Sequence, residues 1–159
     1  MEAKLFCGIM YADPSIYQKA LGVLTKDFGS LEIEGKEFDF DFTNYYEQEF
    51  GKNLKKRFVV FGNIDREELP KRKKKTIEIE NSLKKSGKRT INIDPGYVTK
   101  NNVVVATTKE LPHRVYLGEG IFADLQLILK KSGAVVLNTT FADYKKNSDF
   151  FVKLRNLLQ

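Results

Sequence analysis

The stretch that decides the fold runs from Lys4 to Gly29 and reads KLFCGIMYADPSIYQKALGVLTKDFG. Its start, Lys4 to Tyr11, is an apolar run with the length of a buried strand. Asp13 and Pro14 are typical of a helix start, because Asp caps free backbone N–H groups and Pro suits the first helical position. Gly29 ends that helix. The stretch therefore predicts a strand followed by a helix.

The same order continues along the chain. Leu31–Phe42 contains an alternation of acidic residues and Phe, which predicts a strand with one apolar face, and Arg57–Phe61 reads as a short buried strand. Arg66–Arg89 reads as a helix with a stop at Gly87, and Thr90–Ile93 as the strand after it. We expect an α+β fold with a ferredoxin-like split-βαβ core, in which an antiparallel sheet carries two helices on one face.

The remaining third extends this core by strands and a final helix. The strands are predicted at Val103–Thr107, His113–Leu117, Ile121–Leu129 and Val135–Leu137, and the helix at Asp149–Leu158. No low-complexity linker or internal repeat interrupts the chain, so a single domain over residues 1–159 is expected.

The composition is that of a globular protein, with 42% apolar and 30% charged residues. The single Cys7 lies in an apolar run, which favours a buried core thiol over a nucleophile. One cysteine and one histidine exclude a zinc site built from these two residue types. No apolar run reaches the roughly 20 residues of a membrane span, and the N-terminus has no basic leader, so we expect a cytoplasmic protein.

The positive charge lies in one segment. Arg66–Arg89 holds ten Lys or Arg and four Glu, which equals the net charge of +6 of the whole chain. One interpretation is a solvated helix face, and the other is a surface that follows the phosphates of a nucleic acid. Lysines dominate and no aromatic residue is interleaved for base stacking, which favours the solvated face.

The segment Ile91–Gly118 concentrates the residues that suit a binding or catalytic site. Its candidate residues are Asp94, Tyr97, Thr107, Thr108, Lys109, His113, Arg114 and Tyr116. Asp94 and His113 suit proton exchange, and Asp94 is followed by Pro95 and Gly96, which favour a tight turn.

The other candidates suit the binding of an anion. Arg114 and Lys109 supply cations, and the hydroxyls of Thr107 and Thr108 supply hydrogen bonds. Tyr97 and Tyr116 would orient the ligand. If residues 113–117 form a strand, His113 and Arg114 point to opposite faces, and only one of them faces a common pocket.

A second polar cluster consists of Asp39, Asp41, Tyr45 and Glu47. Its paired carboxylates suit acid/base work or a hard cation such as Mg²⁺. An exposed polar face of the sheet explains them equally well.

Known nucleotide and hydrolase signatures are absent, including the P-loop, the Gly-rich dinucleotide loop, the nucleophile elbow and H-E-x-x-H. Three blocks, Phe38–Phe61, Ile91–Thr99 and Val103–Leu125, together resemble a family of small uncharacterised bacterial and archaeal proteins known as a domain of unknown function. The likeness extends from KLFCGIMYAD near the start to TTFADY near the end. Some members carry the label GTP-binding protein, but this chain has no P-loop to support it.

The leading hypothesis from the sequence is a protein that binds a small anionic ligand, a nucleotide or phosphorylated metabolite, around residues 91–118. Acid/base hydrolase or transferase activity is compatible with this site. The alternatives are a nucleic-acid-binding module that uses the helix 66–89, and a non-catalytic assembly or adaptor subunit that uses an exposed sheet edge.

Overall fold

The computed structural model describes all 159 residues and has the predicted α+β class, with a large antiparallel sheet and five α-helices. The strands are β1 (Lys4–Tyr11), β2 (Ile33–Glu34), β3 (Phe38–Asp39), β4 (Lys55–Asn63), β5 (Ile91–Val98), β6 (Asn102–Thr107), β7 (Val115–Gly118), β8 (Ile121–Lys130) and β9 (Gly133–Val136). The helices are α1 (Pro14–Phe28), α2 (Glu47–Phe50), α3 (Leu69–Ser82), α4 (Ala142–Lys146) and α5 (Ser148–Asn156).

The chain forms two compact units. The first unit comprises Phe6–Gly62 and Lys74–Asp94, and the second comprises Met1–Leu5, Asn63–Lys73 and Pro95–Gln159. The strand order is β2-β4-β1-β5 in the first unit, with β3 beside β4, and β5-β6-β8-β7 in the second, with β9 beside β8. The order in the first unit is compatible with a ferredoxin-like core, which stays a prediction, as does the single domain.

The first strand and helix form as predicted. Asp13 Oδ1 accepts a hydrogen bond from the Ser15 N–H at 2.8 Å, so it caps α1. Gly29 follows the helix with φ of 96°, a value that favours glycine. Cys7 is fully buried in β1, which confirms the prediction of a core thiol.

The strand predicted over Leu31–Phe42 forms only in part, as two short pieces that pair with β4. Ile33 of β2 lies opposite Val60 of β4, and Phe38 of β3 lies opposite Lys56 of β4. Gly35 lies between the two pieces, and glycine weakens a strand interior and permits a bend. The short helices α2 and α4 have no counterpart in the prediction.

The predicted turn at Asp94-Pro95-Gly96 is also wrong. β5 continues through it, with Gly96 opposite Val105 and Tyr97 opposite Val104. The fixed φ of Pro is compatible with extended backbone, and Gly96 is not among the residues with positive φ. Pairing with β6 therefore overrides the local preference for a turn.

The basic helix is shorter than predicted, since α3 ends at Ser82. After it, Ser86 and Gly87, both with positive φ, form a two-residue turn that pairs Lys85 with Lys88. Lys73, on the helix itself, is buried. The lysines of this segment therefore do not form one continuous exposed row.

In the second unit, different elements pack on the two faces of the sheet. On one face, Leu69 at the start of α3 packs with Val104, Ala106 and Ile121. The helices α4 and α5 pack on β8 and β9. Within these helices, Tyr144 and Phe151 are buried and stacked, with ring centroids 5.4 Å apart.

A buried pair of tyrosines in the first unit lowers the stability of the protein as the pH becomes alkaline. Tyr11 and Tyr17 stack with ring centroids 4.7 Å apart, and the Tyr11 hydroxyl donates to Glu37 at 2.5 Å. Burial, followed by this hydrogen bond, raises the pKa of Tyr11 to about 12. The pKa of a tyrosine in the unfolded chain is near 10. The contribution of Tyr11 to the free energy of unfolding is therefore fully present below pH 10 and is lost as the pH rises towards 12.

We expect the free energy of unfolding of Tyr11→Phe to fall less steeply than that of the wild type between about pH 9.5 and pH 11.5, because phenylalanine has no proton to lose. Tyr17, whose pKa is raised by burial and by Glu34, remains in both proteins. Urea denaturation at several pH values measures both slopes. Equal slopes would contradict the role given to Tyr11.

Candidate functional site

A fully buried carboxylate organises the polar residues of the second unit. Asp124 lies in β8 opposite Val105 of β6. Its Oδ2 accepts a hydrogen bond from Arg114 Nε at 2.7 Å and lies 3.3 Å from His113 Nε2. Its Oδ1 accepts from Gln126 Nε2 at 2.9 Å. We call these four side chains (His113, Arg114, Asp124 and Gln126) the Asp124 cluster.

His113 and Arg114 reach the same carboxylate because they precede the strand. β7 begins at Val115, and the Arg114 N–H donates to Leu111 O at 3.0 Å in the preceding turn. The strand predicted over His113–Leu117 therefore begins two residues later than expected, at Val115. The conclusion that only one of the two residues faces a common pocket is wrong. Alternation holds only within a strand.

Arg114 uses its Nε and Nη1 donors within the protein. Its Nη1 donates to Lys109 O at 2.8 Å and lies 3.5 Å from Thr107 Oγ1, and the guanidinium lies 6.0 Å from the centre of the Phe141 ring. Its side chain is only 6% exposed. Arg114 and the Thr107 hydroxyl thus lie close together, in an arrangement that closes the loop between β6 and β7.

The other candidates of the segment lie apart from this cluster. Thr108 and the side chain of Tyr116 are exposed. Asp94 belongs to the first unit, where it accepts a hydrogen bond from Asn92 Nδ2 at 2.9 Å. The structure therefore assigns the two predicted proton-exchanging residues, Asp94 and His113, to different units.

Asn92 connects Asp94 to an arginine network. Arg89 donates to Asn92 Oδ1 at 3.0 Å and to both oxygens of Glu49, at 2.7 to 3.2 Å. Its Nη1 also lies 3.5 Å from Glu80. The hydrogen bonds to Glu49 are the main cause that raises the pKa of the Arg89 guanidinium.

Tyr97 lines a cavity of about 440 Å³ in the second unit, which we call the Tyr97 cavity. Its walls are formed by Asp65, Arg66, Glu67, Pro70, Tyr97, Leu117 and Ala123. Asp65 Oδ1 accepts a hydrogen bond from the Glu67 N–H at 3.2 Å and caps the 3₁₀ turn Arg66–Glu68 that precedes α3. The cavity lies at the beginning of this helical segment.

The Tyr97 cavity and the Asp124 cluster lie on opposite faces of the sheet. Ala123 lines the cavity, and the next residue of β8, Asp124, points to the other face. The sequence prediction included Tyr97 but missed Arg66 and Leu117 as its neighbours. The helix start at Asp65 was recognisable, but its proximity to Tyr97 arises only from the tertiary fold.

The second predicted cluster also borders a cavity, in the first unit, of about 720 Å³. Asp39, Asp41 and Glu47 line it together with Lys52 and Lys55, and Lys55 forms an ion pair with Asp39. Tyr45 is exposed, with its ring against that of Tyr46. No group of three or more His, Cys, Asp or Glu is arranged to hold a metal ion.

No helix of the protein has both the length and the apolar character needed to cross a membrane. Comparison with protein families shows that residues 1–157 match the model of a family described as Domain of unknown function (DUF4416). No curated protein and no solved structure matches the chain.

Proposed function

Since the chain belongs to the DUF4416 family, whose description names no activity, we propose its function from the geometry of the Tyr97 cavity. The protein binds a small anionic ligand, a nucleotide or phosphorylated metabolite, in this cavity. The observation that carries the proposal is that a cation, Arg66, and an aromatic ring, Tyr97, line the same cavity. The cytoplasmic location expected from the sequence is part of the proposal.

The apolar wall suits a planar group. Tyr97, Leu117 and Pro70 present an aromatic ring and aliphatic surface to the cavity, and these groups pack against a base or another flat ring. Leu69, Val104 and Ala106 form the buried cluster against which Tyr97 packs, so its ring has a firm support. The volume of about 440 Å³ lies within the usual range of small-ligand pockets.

The polar wall suits a phosphate and hydroxyl groups. The guanidinium of Arg66 can bind a phosphate in bidentate fashion, and the start of a helix favours negative charge. Asp65 and Glu67 carry carboxylates that repel a bare anion but accept hydrogen bonds from sugar hydroxyls or base N–H groups. A ligand with one phosphate end and one hydroxyl-rich part therefore fits better than an inorganic anion.

The proposal concerns binding. The catalytic roles of Asp94 and His113, and the acid/base hydrolase or transferase activity, stay predictions. The side chain of His113 is 32% exposed and lies beside a buried carboxylate, the arrangement that orients many general bases. Its face of the sheet is, however, the one opposite the Tyr97 cavity.

Nucleic-acid binding through the segment 66–89 has weaker support. Lys73 is buried, Arg72 pairs with Glu68, and Lys75 lies 3.5 Å from Asp27. The exposed lysines of the segment concentrate near the turn that joins Lys85 to Lys88. Such a local group gives a shorter phosphate-binding surface than a whole helix would.

We expect Arg66→Ala to weaken the binding of AMP or GMP by about tenfold or more, because a hydrogen bond to a charged group contributes about 1.5 to 3 kcal/mol. It should leave the binding of adenosine or guanosine nearly unchanged, whereas Tyr97→Ala should weaken nucleotide and nucleoside alike. Isothermal titration calorimetry with these four compounds measures the effects.

Lys71→Ala and Tyr45→Ala are the matched controls, because both side chains are exposed and neither lines the cavity. They should bind like the wild type. Wild-type protein that binds none of the four compounds below about 1 mM, or whose binding survives both Arg66→Ala and Tyr97→Ala, would refute the proposal.

A further inference from the structure

A cavity of about 240 Å³ lies beside the turn that joins Lys85 to Lys88 in the first unit. Lys85, Lys88 and Arg89 line it together with the carboxylates of Asp13 and Glu49. Three cations thus meet two anions around one concave site, which we call the Lys85 cavity. Its net positive charge favours an anionic ligand.

The turn holds the two lysines side by side. The Lys85 N–H donates to Lys88 O and the Lys88 N–H donates to Lys85 O, both at 3.0 Å. Ser86 and Gly87 complete the turn with φ of 50° and 74°. Residues directly opposite each other in an antiparallel pair point to the same face, with Cα atoms about 5.5 Å apart. Both ammonium groups therefore belong to the same side of the turn, and both lysines line the cavity.

Like charges directly opposite each other in a strand pair are unfavourable. Lys85 and Lys88 are exposed, and their side chains form no hydrogen bond or ion pair within the protein. Asp13 is a lining carboxylate that acts on Lys85, but it already accepts a hydrogen bond from the Ser15 N–H, which is the main cause of its lowered pKa. One group with two negative charges between the lysines would offset their repulsion.

The other charges of the lining are largely balanced within the protein. Glu49 and Asn92 accept hydrogen bonds from Arg89, so its guanidinium forms a fixed wall of the cavity. The start of α1 also borders the cavity, but the Asp13 carboxylate caps it and offsets its positive end. The attraction for an anion therefore comes from the two lysines of the turn.

We propose that the Lys85 cavity binds the phosphate group of a small phosphate monoester between Lys85 and Lys88. The lysine ammonium group is a compact donor that suits phosphate oxygens. A monoester carries close to two negative charges at neutral pH, enough to neutralise both lysines, whereas a diester carries one. The buried side chains of Ile16 and Phe50 give the lining an apolar part for a short carbon chain.

The size of the cavity limits the ligand. Small-ligand pockets usually enclose about 300 to 1,000 Å³, and the Lys85 cavity is smaller. A phosphate with a short carbon chain suits this volume, whereas a nucleotide suits the larger Tyr97 cavity. Binding in the Lys85 cavity is therefore independent of the function proposed for the Tyr97 cavity.

Titration of the isotope-labelled full chain with methyl phosphate, at about pH 7.5 and constant ionic strength, tests the site by NMR. We expect a dissociation constant on the order of 1 mM, because two exposed ion pairs give weak binding. The largest changes in the backbone amide signals should lie at residues 85–90 and around Asp13. The same spectra verify the fold of each variant.

Lys85→Ala and Lys88→Ala should each raise this dissociation constant by about fivefold or more, because each removes a charged donor to the phosphate. Lys84→Ala is the matched control, since Lys84 is exposed and adjacent in sequence but does not line the cavity. Salt screens its charge, so its effect should be less than about twofold. Asp13→Asn should tighten binding by about twofold, because it removes a repelling carboxylate while asparagine still caps α1.

Two further measurements identify the ligand and the site. Dimethyl phosphate, a monoanion with the linkage of a nucleic acid, should bind by about fivefold or more less tightly than methyl phosphate, since it can neutralise only one lysine. Arg66→Ala should bind methyl phosphate like the wild type, because Arg66 lines the Tyr97 cavity and not the Lys85 cavity.

A wild-type chain that shows no saturable binding of methyl phosphate below about 20 mM overturns the proposal. Lys84→Ala that weakens binding as much as Lys85→Ala also overturns it, because the attraction would then be a general effect of surface charge. Dimethyl phosphate that binds as tightly as methyl phosphate overturns it in favour of a nucleic-acid backbone. Loss of binding in Arg66→Ala overturns it in favour of the Tyr97 cavity.

Discussion

Asp124→Asn should lower the free energy of unfolding by about 3 to 5 kcal/mol, as expected when one partner of a buried ion pair is removed. The substitution keeps the size of the side chain but removes its charge and replaces one acceptor oxygen by an NH2 group. Arg114, whose side chain is 6% exposed, would then be a buried cation without its carboxylate. The Asn amide group would also face the donors of Arg114 and Gln126.

Urea denaturation followed by circular dichroism measures this loss. Glu110→Gln removes a carboxylate from the same loop, where Glu110 is exposed, and should change the stability by less than about 0.5 kcal/mol. The double substitution Asp124→Leu with Arg114→Met should cost less than the sum of the two single substitutions, because it removes both charges together. A single Asp124→Asn protein as stable as the wild type would contradict this account.

Arg89→Ala should lower the free energy of unfolding by about 2 to 3 kcal/mol, the usual range for the loss of a charged group that donates several hydrogen bonds. The guanidinium joins Glu49, Asn92 and Glu80, of which Glu80 is 5% exposed. Its central carbon also lies 5.0 Å from the centre of the Phe50 ring. Part of the energy is screened, because Arg89 and Glu49 are themselves partly exposed.

Arg89→Lys tests the geometry rather than the charge. Lysine keeps the positive charge but cannot bind Glu49 through two parallel donors while it also bonds to Asn92. We expect it to recover less than half of the loss caused by Arg89→Ala. Lys88→Ala, at the exposed neighbouring position, is the control and should be nearly neutral. Full recovery by lysine would show that the charge alone matters.

The sequence predicted the elements whose signals are local. Asp13 and Pro14 mark the start of α1 and Gly29 its end, and the structure confirms all three. The α+β class followed from the order of such elements. The turn predicted at Asp94-Pro95-Gly96 was wrong because pairing with β6 outweighs the local preference for a turn. A turn preference can be seen in the local sequence, whereas the pairing cannot.

The residues of the site were predicted less completely. His113 and Arg114 were recognised by type, but their common partner, Asp124, was not. A signal existed, because Asp124 and Gln126 interrupt an otherwise apolar strand at alternate positions. Their burial and their bonds to Arg114 and Phe141, however, depend on α4 and on the turn before β7. Likewise, no sequence pattern near Arg66 or Tyr97 indicates that the two residues line the same cavity.

The buried carboxylate of Asp124 also fixes which residues of β8 can face each side. If β8 slipped by one residue against β6, the carboxylate would move to the face occupied by Leu69, Val104 and Ala106. It would find no guanidinium among those apolar side chains, and Arg114 would lose its acceptor. The ion pair therefore helps to fix the alignment of β8, because it penalises a one-residue slip more heavily than it stabilises the correct register.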